Sequence, residues 1–102
     1  MSTRTTPSAQ YSVTIRVELE SGHPDLFGQL ATAINSVGGD IGAVDIVSAD
    51  QQRVVRDLVV NASDPEHSDE IVAELGLADQ RVEAVQLLEQ RLHGSPLLGS
   101  RR

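Results

Sequence analysis

From Tyr11 to Leu19 the chain alternates. Tyr11, Val13, Ile15, Val17 and Leu19 are apolar, and Ser12, Thr14, Arg16 and Glu18 between them are polar. A period of two sends these sets to opposite faces of a strand, so the stretch predicts a β-strand with one buried and one solvated face. Ser21-Gly22-His23-Pro24 interrupts it. From Asp25 the spacing changes to threes and fours. Phe27, Leu30, Ile34 and Val37 recur, with Ala31 and Ala33 between them, which predicts an amphipathic helix. Gly38-Gly39 stops it, because glycine takes a left-handed cap without steric cost. Asp40 to Ser48 and Arg53 to Ala62 are rich in Ile and Val. They predict a second and a third strand, and the short polar turn Asp50-Gln51-Gln52 makes them an antiparallel hairpin.

Ser63-Asp64-Pro65-Glu66 is a helix start signal. Asp64 or Ser63 can cap, and Pro65 suits the first turn, where no N–H is needed. Ile71, Val72 and Leu75 form the apolar stripe of that helix, and Gly76 ends it. The stretch from Arg81 to Gly94 fits either a strand or a helix by pattern alone. Topology selects a strand over Val82–Leu88, since the first strand otherwise lacks a partner on its other side. The order is then βαββαβ. Right-handed connections place both helices on one face, which gives an α+β, ferredoxin-like sandwich: a four-stranded antiparallel sheet of order 4-1-3-2. Residues 1–10 and 91–102 read as polar or Gly/Ser/Arg-rich tails around a domain at 11–90. Roughly 80 residues is small for a self-sufficient core, so a second subunit or a neighbouring domain is expected to help.

Charge and composition narrow the function. The net charge of −7 and the presence of only two aromatic residues, Tyr11 and Phe27, oppose both nucleic-acid binding and docking on an anionic membrane. The chain has no cysteine and no lysine. Disulfides, thiolate chemistry and Schiff bases are therefore excluded. No apolar run is long enough to span a bilayer, and the N-terminus has no signal-type apolar region, so a cytoplasmic location is the expectation. His23, His67 and His93 share no metal-ligand spacing. His23 lies in a loop as an exposed turn residue or a ligand contact. His67 reads as part of a solvated acidic face. The serines have no His–Asp companions, and Gly38-Gly39 follows a helix where a phosphate loop would open one. No catalytic residue, metal ligand or cofactor is predicted.

Gly22-His23-Pro24-Asp25-Leu26-Phe27-Gly28 through Val37-Gly38-Gly39-Asp40-Ile41 resembles the ACT domain family of small-molecule-sensing modules. Gly38 to Val47, Arg53-Val54-Val55-Arg56-Asp57, Val60-Asn61-Ala62 and Glu66-His67 look like the ACT domain at the front of actinobacterial NAD-dependent malic enzymes. The resemblance covers about residues 10 to 90. It departs at Asp25, where the family's loop has glycine, and after Leu88, where no linker to a catalytic region is recognisable. It implies a regulatory domain rather than an enzyme, with a homodimer formed through sheet edges and a metabolic enzyme as a possible partner.

The resemblance also implies a ligand site for an amino acid or similar small carboxylate, made by Gly22, His23, Pro24, Asp25 and Leu26 together with Asp40 and Ile41. Backbone N–H groups around Leu26 and Phe27, at a helix start, would take the carboxylate. Asp40, brought by the partner subunit, would take the amine, and Ile41 would touch the side chain. The opposing reading makes Asp25 a helix cap whose charge occupies the anion site, leaving a ligand-free structural dimerisation domain. In the third strand Arg56 and Asp57 must face opposite ways. Cross-strand partners are expected for them, Glu18 for Arg56 or Arg16 for Asp57. Val55, Val59, Ala43 and Val47 are expected away from the helices or near an edge.

Overall fold

The computed structural model describes residues 11–92. Its elements are β1 (Tyr11–Glu20), α1 (Asp25–Ser36), β2 (Asp40–Ala49), β3 (Arg53–Asn61), α2 (Pro65–Leu77) and β4 (Val82–Leu92). They form one four-stranded sheet of order β2-β3-β1-β4, with every neighbouring pair antiparallel. This is the expected ferredoxin-like sandwich. The fourth strand runs past Leu88 to Leu92, so residues 91 and 92, expected in the tail, pair with Ser12 and Tyr11.

The alternation in β1 becomes the floor of the core. Tyr11, Val13, Ile15, Val17 and Leu19 are all buried beneath the helices. Leu58 and Val60 of β3 extend this floor, and Leu26, Leu30 and Ile34 of α1 and Ile71 and Leu75 of α2 close it from above. Helix α1 buries Leu26 where the spacing had suggested Phe27. Phe27 is partly buried at the edge of the core. The end of α1 uses both glycines, for different reasons. Gly38 takes φ 85°, which closes the helix. Gly39 sits where a Cβ would come within 2.8 Å of Ile34 Cγ2 and 2.9 Å of Ile71 Cδ1, so its small size lets α1 and α2 approach.

Helix α2 starts as its sequence predicts. Asp64 accepts a hydrogen bond from the His67 backbone N–H at 2.8 Å, and Pro65 occupies the first turn. His67 itself departs from the expectation of a solvated face, being 0% exposed. Its Nδ1 accepts from the Ser63 N–H at 2.9 Å, and its Nε2 lies 2.6 Å from the Val37 carbonyl oxygen. A carbonyl can only accept, so the ring carries its proton on Nε2. The imidazole thereby ties the exit of α1 to the start of α2.

The face of the sheet away from the helices is polar and ordered by register. Arg16 lies opposite Asp57, and its Nε and Nη2 donate to Asp57 Oδ1 and Oδ2 at 2.8 and 3.0 Å. That fork holds the Asp57 carboxyl below the ordinary aspartate range. Val55 and Val59 share this face, opposite Glu18 and Thr14, and Ala43 joins them through its pairing with Val59. Val47 instead falls at one of two irregularities in β2, which lie between Ile41 and Ala43 and between Ile46 and Ser48. Strand β2 is an edge strand, exposed along nearly its whole length, and Ile46 is 60% exposed.

Candidate ligand-binding site

A cleft of about 310 Å³ opens where β1 turns into α1, lined by Leu19, Glu20, Ser21, Gly22, His23, Pro24, Phe27, Val54 and Arg56. Three of the residues singled out from sequence, Gly22, His23 and Pro24, therefore line one concavity. The loop is shaped by Gly22, whose φ of 88° is the left-handed conformation glycine accepts most easily. Nothing lies within 4 Å of the position its Cβ would take, so conformation rather than crowding calls for glycine here. Ser21 anchors the loop from below, with Oγ donating to the Asp50 carbonyl at 2.7 Å.

Asp25 does not cap α1. The helix has no side-chain cap; its preceding residue is Pro24, and Asp25 is the first helical residue, in the first turn. The Asp25 carboxylate, 64% exposed, accepts from Gln29 Nε2 at 3.1 Å and lies 3.9 Å from Arg81 Nη2. The expected carboxylate receptor is also partly spent: the Leu26 N–H donates to the His23 carbonyl at 3.0 Å. The Leu26 side chain is buried in the core.

His23 is half-buried and held on both sides, where an exposed turn residue was one expectation. Arg81 Nη1 is 2.9 Å from its Nδ1, and Glu20 Oε1 is 3.3 Å from its Nε2. A guanidinium only donates, so Nδ1 accepts and the proton on Nε2 faces Glu20. Arg81 is itself fixed by Asp79, which takes its Nε at 3.0 Å, its Nη2 at 2.8 Å and its backbone N–H at 2.8 Å. These bonds, those of the guanidinium first, pull the Asp79 carboxyl down to about 2. The Gly22–Pro24 loop is thus tied by charge-assisted bonds to the turn between α2 and β4.

Asp40 and Ile41 are not part of this cleft. Asp40 pairs with Asn61 at one end of β3, while Glu20 pairs with Arg53 at the other. Strand β3 is 9 residues long, so its ends lie about 27 Å apart at strand rise. Asp40 is exposed and lies 3.4 Å from Asn61 Nδ2.

Arg56 also lines the cleft, and it was not among the ligand residues the resemblance implied. It lies opposite Val17 and thus on the core face, so the expected pairing with Glu18 is replaced. Its guanidinium carbon sits 5.0 Å from the centre of the Phe27 ring instead. Strand alternation puts Arg56 on the side of Leu58 and Val60, which is the signal the sequence offers. Among the described residues no group of three or more His, Asp or Glu side chains could hold a metal ion. No described helix is long and apolar enough to cross a membrane.

Known structures share this architecture. The ACT domain of a GTP pyrophosphokinase from Chlorobium tepidum superimposes with a TM-score of 0.62 at 17% identity, covering 76% of this chain and 96% of that one. The chain has the ACT-domain fold. A quorum-quenching acylase, GqqA, contains a similar unit, with a TM-score of 0.65 at 11% identity over 87% of this chain and 32% of the acylase. The C-terminal domain of the MgtC protein of Mycobacterium tuberculosis is similar at a TM-score of 0.57 and 15% identity, covering 79% of this chain and 88% of that domain. By sequence, the ACT-type domain is 36% identical over 67 residues to an NAD-dependent malic enzyme of Geobacillus stearothermophilus. That stretch is 66% of this chain and 14% of the malic enzyme. No family model matches the chain.

Proposed function

We propose that the domain is a sensor of a small carboxylate metabolite, most simply an amino acid, that acts on a metabolic enzyme of the malic-enzyme kind through the geometry of a homodimer. The cleft at the β1–α1 loop carries this reading. Its volume is at the lower end of small-molecule sites, and polar groups converge on an apolar wall of Leu19, Pro24, Phe27 and Val54. The dimer is assigned to the β2 edge. That strand is long and exposed, it leaves one row of backbone groups without a sheet neighbour among the described residues, and it presents Val44, Ile46 and Val47. Two copies pairing there would continue the sheet and cover those side chains. A ligand regulates only by favouring one arrangement of the pair.

A second reading, a ligand-free structural dimerisation domain, has two observations in its favour: the Leu26 N–H is already engaged, and Asp25 adds negative charge beside it. Melting temperature measured against a panel of amino acids and small carboxylic acids separates the two. A ligand present at about 100 times its dissociation constant adds about 2.7 kcal/mol of stability. A flat response across the panel supports the structural reading.

A further inference from the structure

We propose that Arg56 is the carboxylate receptor of this cleft, an inference that rests on the ligand-sensing reading above and replaces the helix-start N–H groups as the anion site. Arg56 reaches the cleft from β3, not from the loop, and lines it together with His23 and Pro24. Its guanidinium is an anomaly within the domain. The Nε atom is shut off from water and has no acceptor among the described residues. A buried donor of a charged group left without an acceptor is costly, and such groups in folded proteins are normally satisfied. The acids near the cleft are committed elsewhere. Glu20 faces His23, Asp25 accepts from Gln29, and Asp79 binds Arg81.

The Phe27 ring does not relieve this need. Its face attracts the cation, with the ring centre 5.0 Å away, but stacking satisfies no N–H in the guanidinium plane, and a carboxylate would meet the outer Nη groups, the Nε being closed off. The ring also holds that plane in place, so little freedom is lost when an anion arrives. A carboxylate presents two oxygens in one plane and matches the fork of an arginine better than a single N–H at a helix start. A small molecule with a free carboxylate therefore meets charge, geometry and an apolar wall in one place. Asp25, turned toward Gln29 and Arg81, does not occupy that position.

The test compares wild type, Arg56→Met and Arg56→Lys by melting temperature. The probes are glycine, L-alanine, L-leucine, L-aspartate and L-malate, with L-alaninamide as the control that lacks a carboxylate. Each shift is read against the same variant without additive. At least one carboxylate is expected to raise the wild-type melting temperature while alaninamide does not. Arg56→Met should weaken that response about tenfold or more, and Arg56→Lys less. A carboxylate that binds wild type and Arg56→Met equally well would overturn the role of Arg56 and leave the sensing reading standing. No response of wild type to any of the carboxylates would overturn both. Should Arg56→Met fail to fold, the Nε–Hε resonance of Arg56 in the wild-type protein decides the matter. It must move on carboxylate titration, and its constancy while the amides of Gly22 and His23 shift would refute the assignment.

Discussion

Replacing His67 by alanine should cost this domain a large share of its stability. The imidazole is fully buried, accepts from the Ser63 N–H at 2.9 Å and reaches the Val37 carbonyl oxygen at 2.6 Å. Removing it leaves a partly buried donor and a partly buried acceptor without this partner, at up to about 1–3 kcal/mol each. The vacated volume adds to this, and large buried side chains cut to alanine lose about 3–5 kcal/mol in all. A domain of this length holds only about 0.05–0.15 kcal/mol per residue. The variant should therefore be marginal at room temperature. Urea denaturation followed by circular dichroism measures it, with the midpoint falling by about 2 M or more at an unchanged slope. Two partial replacements isolate the cause. A glutamine side chain at this position can still donate toward Val37, and an asparagine can still accept from Ser63. His67→Gln and His67→Asn should each therefore fall between wild type and His67→Ala. A loss below about 1 kcal/mol for alanine, or glutamine and asparagine variants no better than alanine, would refute the claim that these two hydrogen bonds hold the helices together.

Two glycines should respond with opposite signs in the same assay. Gly39→Ala forces a Cβ against Ile34 and Ile71 and should lose about 1–3 kcal/mol, whereas Gly28→Ala, in α1 with nothing within 4 Å of the new atom, should gain about 0.5–1 kcal/mol. The pH dependence has a defined sign. The Asp79 carboxyl is pulled down to about 2 by Arg81, so its contribution is complete above its ordinary titration range near pH 4 and is lost as pH falls toward 2. Melting temperatures across that window should drop less steeply for Asp79→Asn than for wild type. Ile46→Lys, on the exposed β2 edge, should move a dimer toward monomer in sedimentation velocity without lowering the monomer's own stability.

The sheet was legible because β1 alternates without a break and because its second edge demanded a strand. Topology, not local pattern, resolved the ambiguity at Val82–Leu88. The irregularities in β2 were not legible, since neither Gly42 nor Val47 disturbs the run of small and β-branched residues around them. His67 was obscured by its acidic neighbours Glu66, Asp69 and Glu70. Yet it stands four residues before Ile71 and eight before Leu75, on the stripe that α2 buries. The loop at Gly22–Pro24 was found through its resemblance to a family motif, whereas Arg56, although it lies in a segment that carries the resemblance, was not among the ligand residues it implied. Only the register that sets it opposite Val17, with Phe27 above it, shows why it matters.

The separation between Asp40 and the Gly22–Pro24 loop bears on how any response would scale. With the length of β3 between them, a molecule the size of an amino acid cannot touch both within one copy. A pocket that used both would have to be assembled from two chains, and its filling would then depend on how much protein is present as well as on how much metabolite. Diluting the protein at constant metabolite would weaken the signal, so such a sensor would also report its own abundance.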